Sequence, residues 1–99
     1  MSDLSSFRPT WAEINLSNLI HNYRLMKECV GNGVAIMPAL KANAYGHGAI
    51  ECARALENEG AQWFGVALPE EGFALRRSGI TTDLLCLAGF WEGQEDILV

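Results

Sequence analysis

The chain has 99 residues, enough for one small domain, and with 49% apolar and 19% charged residues it reads as globular rather than disordered. A net charge of −5 argues against a nucleic-acid partner or an anionic membrane surface. Cys29, Cys52 and Cys86 are widely spaced, with no Cys-x-x-Cys pair and no clustered histidines. This pattern holds no recognisable metal site and no disulfide framework, and it suits reduced thiols in the cytoplasm.

Residues 1–9 form a polar lead-in without an apolar core of signal-peptide length, and no stretch approaches a membrane span. From Thr10 to Leu16, Trp11, Glu13 and Asn15 alternate with Ala12, Ile14 and Leu16. This period of two predicts a short strand with one buried face. Ser17 suits a helix cap, and Leu19, Ile20, Tyr23, Met26 and Val30 recur at helical spacing up to Gly31. His21 falls near the opposite face, where a solvated histidine is expected.

Val34 to Leu40 is a nearly continuous apolar run, as in a strand covered on both faces, although Pro38 lacks the N–H that a central strand uses. A helix is predicted from about Gly48 to Glu59 on Ala49, Ile50, Ala53 and Leu56. A strand follows over Trp63 to Leu68. Pro69 suits the first position of the next helix, with Glu70 and Glu71 in its first turn and Arg76 and Arg77 in its last. Both charge placements complement the helix dipole. Asp83 to Gly89 reads as a further buried strand. The order strand, helix, strand, helix, strand predicts a parallel α/β sheet. A complete (β/α)8 barrel needs roughly 250 residues, so the chain reads as the opening portion of one.

The chemistry concentrates at Lys41. It closes the apolar run and leads into Ala42-Asn-Ala-Tyr-Gly-His-Gly. A lysine leaving a buried strand tends toward a lowered pKa, as an amine must if it is to attack a carbonyl. The plainer alternative is a lysine that snorkels to an ion pair, and the residues alone leave both open. A helix starting near Gly48 would turn free N–H groups toward an anion, and Tyr45 offers a phenol to the same group. Amine, phenol and helix start together suit an aldehyde carrying a phosphate, such as pyridoxal phosphate. Asn43 and His47 fit structural roles in the turn.

Leu40-Lys-Ala-Asn-Ala-Tyr-Gly-His-Gly resembles the pyridoxal-phosphate attachment motif of alanine racemases, the fold-type III enzymes. Arg8-Pro-Thr-Trp-Ala-Glu-Ile-Asn-Leu, Asn18-Leu-Ile-His-Asn-Tyr-Arg, Phe64-Gly-Val-Ala, Glu70-Glu-Gly and Leu75-Arg-Arg-Ser-Gly-Ile match the family in order and spacing. The resemblance implies a TIM-like (β/α)8 barrel followed by a C-terminal β-domain. Residues 1–16 would then hold a strand that belongs with the β-domain, and residues 17–99 the incomplete barrel. It further implies that Lys41 holds pyridoxal phosphate, that Tyr45 binds its phosphate and that Leu87 is an apolar cofactor contact. The implied reaction interconverts L-alanine and D-alanine, for peptidoglycan supply, with Lys41 as one of two bases in a cytoplasmic homodimer. The second base would come from the partner's C-terminal domain, so these residues alone are expected to be inactive. The alternatives are a non-catalytic pyridoxal-phosphate homeostasis protein of the same barrel, or a serine or broad-specificity racemase.

Overall fold

The computed structural model describes residues 12–98. Its elements are α1 (Leu16–Val30), a one-turn segment α2 (Lys41–Tyr45), α3 (Ala49–Asn58), β1 (Trp63–Val66), α4 (Pro69–Arg77), β2 (Asp83–Cys86) and α5 (Glu95–Leu98). α5 has no counterpart in the sequence reading; one helical turn is too short to show a period.

Two expectations at the start of the chain change. Thr10 and Trp11 lie outside the described residues, Ala12 to Asn15 form no strand, and Leu16 is already helical. A period of two makes a strand only where a neighbouring strand completes the ladder, and Ala12 to Asn15 join no ladder among the described residues. The cap of α1 is Asn15 rather than Ser17. Its extended backbone (φ −103, ψ 102) lets Oδ1 accept from Asn18 N at 3.0 Å. The expected apolar stripe of α1 is covered only through its first half. Leu16, Leu19 and Tyr23 meet the core, whereas Met26 and Val30 are exposed. Gly31 ends the helix at φ 78.

The Val34 to Leu40 run contributes a single parallel bridge, Ala39 to Gly65. Gly65 N donates to Pro38 O at 2.9 Å, and Leu40 N donates to Gly65 O at 2.7 Å. The next rung back would need an N–H from residue 38 toward the Trp63 carbonyl. Proline has none, so the ladder stops. β1 and β2 pair in parallel, with Trp63, Phe64, Gly65 and Val66 opposite Asp83, Leu84, Leu85 and Cys86.

Strand parity then sorts the side chains. Leu40, Phe64 and Val66 point to the helical side and are buried with Ala53 and Leu56 of α3, Leu75 of α4 and Ile80. Gly72 of α4 faces the sheet: a Cβ there would make ordinary contact, 3.5 Å from Leu84 Cδ1 and 3.7 Å from Val66 Cγ2. Met37, Trp63, Leu85 and Leu87 point the other way and are exposed. No helix among the described residues is long and apolar enough to cross a membrane.

Candidate active site

The register fixes where Lys41 stands. Ala39, Gly65 and Leu85 form one row across the sheet, so Lys41, Ala67 and Leu87 lie two residues further on, at the carboxyl end and on the open face. Leu87 N donates to Val66 O at 2.7 Å, which carries the pairing to that level. Strand carboxyl ends are where βα loops place reactive groups in barrels of this kind.

The turn after Lys41 winds left-handed. Ala42, Asn43, Ala44 and Tyr45 have φ between 52 and 56. For L-residues this hand brings Cβ against the following carbonyl, at roughly 1–2 kcal/mol per residue, and is ordinarily visited singly. Hydrogen bonds on every side hold it. Ala44 N donates to Leu40 O at 2.8 Å, Gly46 N to Ala42 O at 3.1 Å and Gly48 N to Asn43 O at 3.0 Å. Asn43 Oδ1 accepts from Ala49 N at 2.8 Å, and His47 Nδ1 donates to Ala44 O at 2.9 Å. Asn43 and His47 are therefore structural parts of the turn, as expected.

The winding brings Lys41 and Tyr45 together: Nζ lies 5.8 Å from the centre of the Tyr45 ring. Lys41 is half-buried, not buried as the apolar run suggested, because the face it stands on is open. Its Nζ is in no salt bridge among the described residues, where Arg24–Glu59 is the ion pair formed. Tyr45 is 60% exposed, so its phenol is available to a ligand. Leu87 does not join this pair directly. Its side chain lies over Gly65 beside Met37: a Cβ on Gly65 would stand 3.3 Å from Leu87 Cδ1 and 3.4 Å from Met37 Cε.

The expected anion cradle at the start of α3 is partly taken up by the protein's own groups. Asn43 already occupies the Ala49 N–H, and Glu51 stands in the first turn, with Oε2 2.9 Å from a Cβ built on Gly48. A phosphate there would meet the like charge of Glu51. Among the described residues no cluster of His, Cys, Asp or Glu can hold a metal ion. The three cysteines are free thiols, and burial, with Glu51 nearby, pushes the Cys52 thiol up.

One residue of the site escaped the sequence reading. Glu71 Oε1 accepts from Ala67 N at 2.8 Å and Leu68 N at 2.9 Å, while Oε2 accepts from Ala42 N at 2.8 Å. Burial pushes its pKa up, but these three N–H donors and the Lys41 ammonium outweigh it and hold the carboxyl below the usual range. The signal was present in part: a Glu three residues into a helix commonly reaches back to the cap N–H. Nothing local announces the bond to Ala42.

The family model for the alanine racemase N-terminal domain matches residues 14–99. An alanine racemase of Carboxydothermus hydrogenoformans is 52% identical over 80 residues, covering 81% of this chain and 22% of the relative. One from Halothermothrix orenii is 45% identical over 91 residues, covering 92% of this chain and 24% of the relative. The solved alanine racemase of Clostridium difficile 630 superposes with a TM-score of 0.83 at 42% identity, over 88% of this chain and 23% of that one. The chain thus spans about a quarter of the length of the relatives it matches.

Proposed function

The chain belongs to the alanine racemase N-terminal domain family, and on that premise we propose that the protein it forms part of interconverts L-alanine and D-alanine with pyridoxal phosphate held on Lys41. The fold is the opening portion of a (β/α)8 barrel, and the observation that carries the proposal is the Lys41–Tyr45 pair at its strand ends. An amine outside any salt bridge among the described residues stands 5.8 Å from a phenol ring that is open to solvent.

This donor set fits the cofactor. An aldehyde needs a primary amine, a phosphate needs a hydrogen-bond donor, and an aromatic ring needs an apolar wall. Lys41, Tyr45 and Leu87 with Met37 supply these in turn. When bound, the cofactor accepts the electron pair left behind as the substrate loses its Cα proton. Lys41 Nζ would hold the cofactor and, as a free amine, would take the Cα proton on one face and return one to the same face in the reverse direction. Tyr45 Oη would donate a hydrogen bond to the phosphate, its ring being open to solvent beside Lys41. Leu87 and Met37 keep water from its apolar edge. The base for the opposite face lies beyond these residues, and the proposal assigns it to a partner subunit in a homodimer.

The proposal also keeps residues 1–16 with a C-terminal β-domain and residues 17–99 with the barrel, and places the enzyme in the cytoplasm. The relatives named above are racemases, which weighs against a non-catalytic carrier.

The test is borohydride reduction of the full-length protein with pyridoxal phosphate, followed by peptide mapping, beside an assay for D-alanine formed from L-alanine. A pyridoxyl group on Lys41 and production of D-alanine are expected. An adduct on Lys27, the other lysine of these 99 residues, or no adduct, overturns the assignment of Lys41. An adduct without racemisation overturns the reaction.

A further inference from the structure

Left-handed backbone at four successive non-glycine residues does not persist unless its surroundings over-determine it. Most of the bonds that hold the turn come from within residues 40–49. The exception is the carboxylate of Glu71, from α4, which accepts from Ala42 N at the first left-handed residue. A capping role for Glu71 needs only the Leu68 N–H, and Leu68 itself offers no side-chain acceptor. The second oxygen reaching Ala42, 29 residues earlier in the chain, is unnecessary for the helix. It joins the loop after the first strand segment to the loop after β1, at the level of the sheet where Lys41 stands.

We propose that the Glu71 carboxylate is a clasp between these two loops and a positioning residue for Lys41, fixing the left-handed turn that brings Nζ to the Tyr45 ring. The proposal deepens, and rests on, the reading of Lys41 as the cofactor lysine. Bonding to Ala42 N, the residue next to Lys41, restricts the ψ of Lys41 and with it the direction in which the side chain leaves the strand end. The negative charge also lies on the backbone side of Lys41, so the ammonium is favoured near the strand end without being locked into an ion pair. Glu70, beside it in the sequence, takes no part: its carboxylate accepts from Gln94 Nε2.

The test uses the full-length protein in wild-type form and as Glu71→Gln and Glu71→Asp. Three N–H donors converge on two carboxylate oxygens. A glutamine retains one acceptor oxygen, so at least one donor is orphaned whichever way the amide turns. Aspartate keeps the charge and can still serve the helix start, but it ends about 1.5 Å short of Ala42. Glu71→Asp therefore decides the matter if Glu71→Gln does not fold.

Hydrogen exchange at the Ala42 amide should accelerate roughly tenfold in Glu71→Asp, the loss of one hydrogen bond to a charged acceptor. The same is expected in Glu71→Gln, whose amide oxygen keeps the greater number of bonds by staying with Ala67 N and Leu68 N. The dissociation constant for pyridoxal phosphate should rise by a similar factor. The pH at which the visible absorbance of the Lys41-bound cofactor changes should also move, while the global unfolding midpoint stays nearly constant. Unchanged Ala42 exchange in Glu71→Asp overturns the proposal. So does a loss of cofactor affinity that merely tracks a fall in global stability. If the wild type takes up no cofactor on Lys41, the functional reading fails, and the clasp stands or falls on the Ala42 exchange alone.

Discussion

The two sides of the small parallel sheet are built from equally apolar residues and meet opposite surroundings. On the helical side Leu40, Phe64 and Val66 are 3%, 0% and 2% exposed. On the other side Met37, Trp63, Leu85 and Leu87 are 38%, 40%, 44% and 50% exposed. Apolar surface this dense on both faces is the pattern of strands in a covered parallel sheet. In a barrel the open side becomes the interior, filled by side chains from the remaining strands. Lys41 leaves the sheet on this open side, whereas two of the hydrogen bonds that hold its turn connect to α3 and α4.

The largest expected effect lies where the open face meets chemistry. In the full-length protein, Lys41→Ala should abolish covalent attachment of pyridoxal phosphate altogether, as read by mass after borohydride reduction. Retention of the adduct would remove Lys41 from the site. Next comes the covered face. Phe64→Ala should lower unfolding stability by about 3–5 kcal/mol in chemical denaturation, since the ring is fully buried and its loss leaves a cavity.

Leu85→Ala sharpens the comparison itself. If the open face becomes a barrel interior in the longer protein, the change should cost about 2–5 kcal/mol, like a core truncation. A cost within about 0.5 kcal/mol, typical of a surface site, would show that the face stays open. Tyr45→Phe should weaken cofactor binding by about 1–3 kcal/mol, one buried hydrogen bond, in a spectroscopic titration. Equal affinity would separate the phenol from the phosphate.

The smallest effect is a pH dependence on the covered side. The Glu57 carboxylate accepts from the Thr82 hydroxyl, from Thr81 N and Thr82 N, and from the Thr81 hydroxyl, tying α3 to the start of β2. The Thr82 hydroxyl and then the two backbone N–H groups hold its pKa below the usual carboxylate range, against a weaker opposing effect of burial. A depressed folded value means stability that is complete above the unfolded pKa, about 4.3, and is lost as pH falls through the folded value. The unfolding midpoint should therefore drop on that acid side in the wild type and drop less in Glu57→Gln. Identical acid limbs would show that Glu57 contributes nothing through its charge.

Much of the fold was legible because its cues are local. Pro69, the acidic first turn and the basic last turn placed α4, and helical spacing of Ala49, Ile50, Ala53 and Leu56 placed α3. The strand order followed from those helices. Less legible were features that need a partner. Ala12 to Asn15 have the alternation of a strand but no ladder, Met26 and Val30 have helical spacing but no cover, and Pro38 cuts an apolar run to a single bridge. In the site, Lys41 and Tyr45 were marked by residue type and spacing. The left-handed turn that pairs them was not, because none of Ala42, Ala44 and Tyr45 prefers positive φ.

The sequence by itself determined that a lysine ends an apolar strand and precedes a turn rich in small residues, since hydrophobic burial and chain stiffness act through near neighbours. It also determined which family the motif resembles. Tertiary structure alone decided the hand of that turn, the acceptance of the Ala49 N–H by Asn43, and the gathering of the Ala42, Ala67 and Leu68 N–H groups on Glu71. Each of these depends on which N–H groups lack a partner once helices and strands have docked, a condition that no local stretch of residues contains.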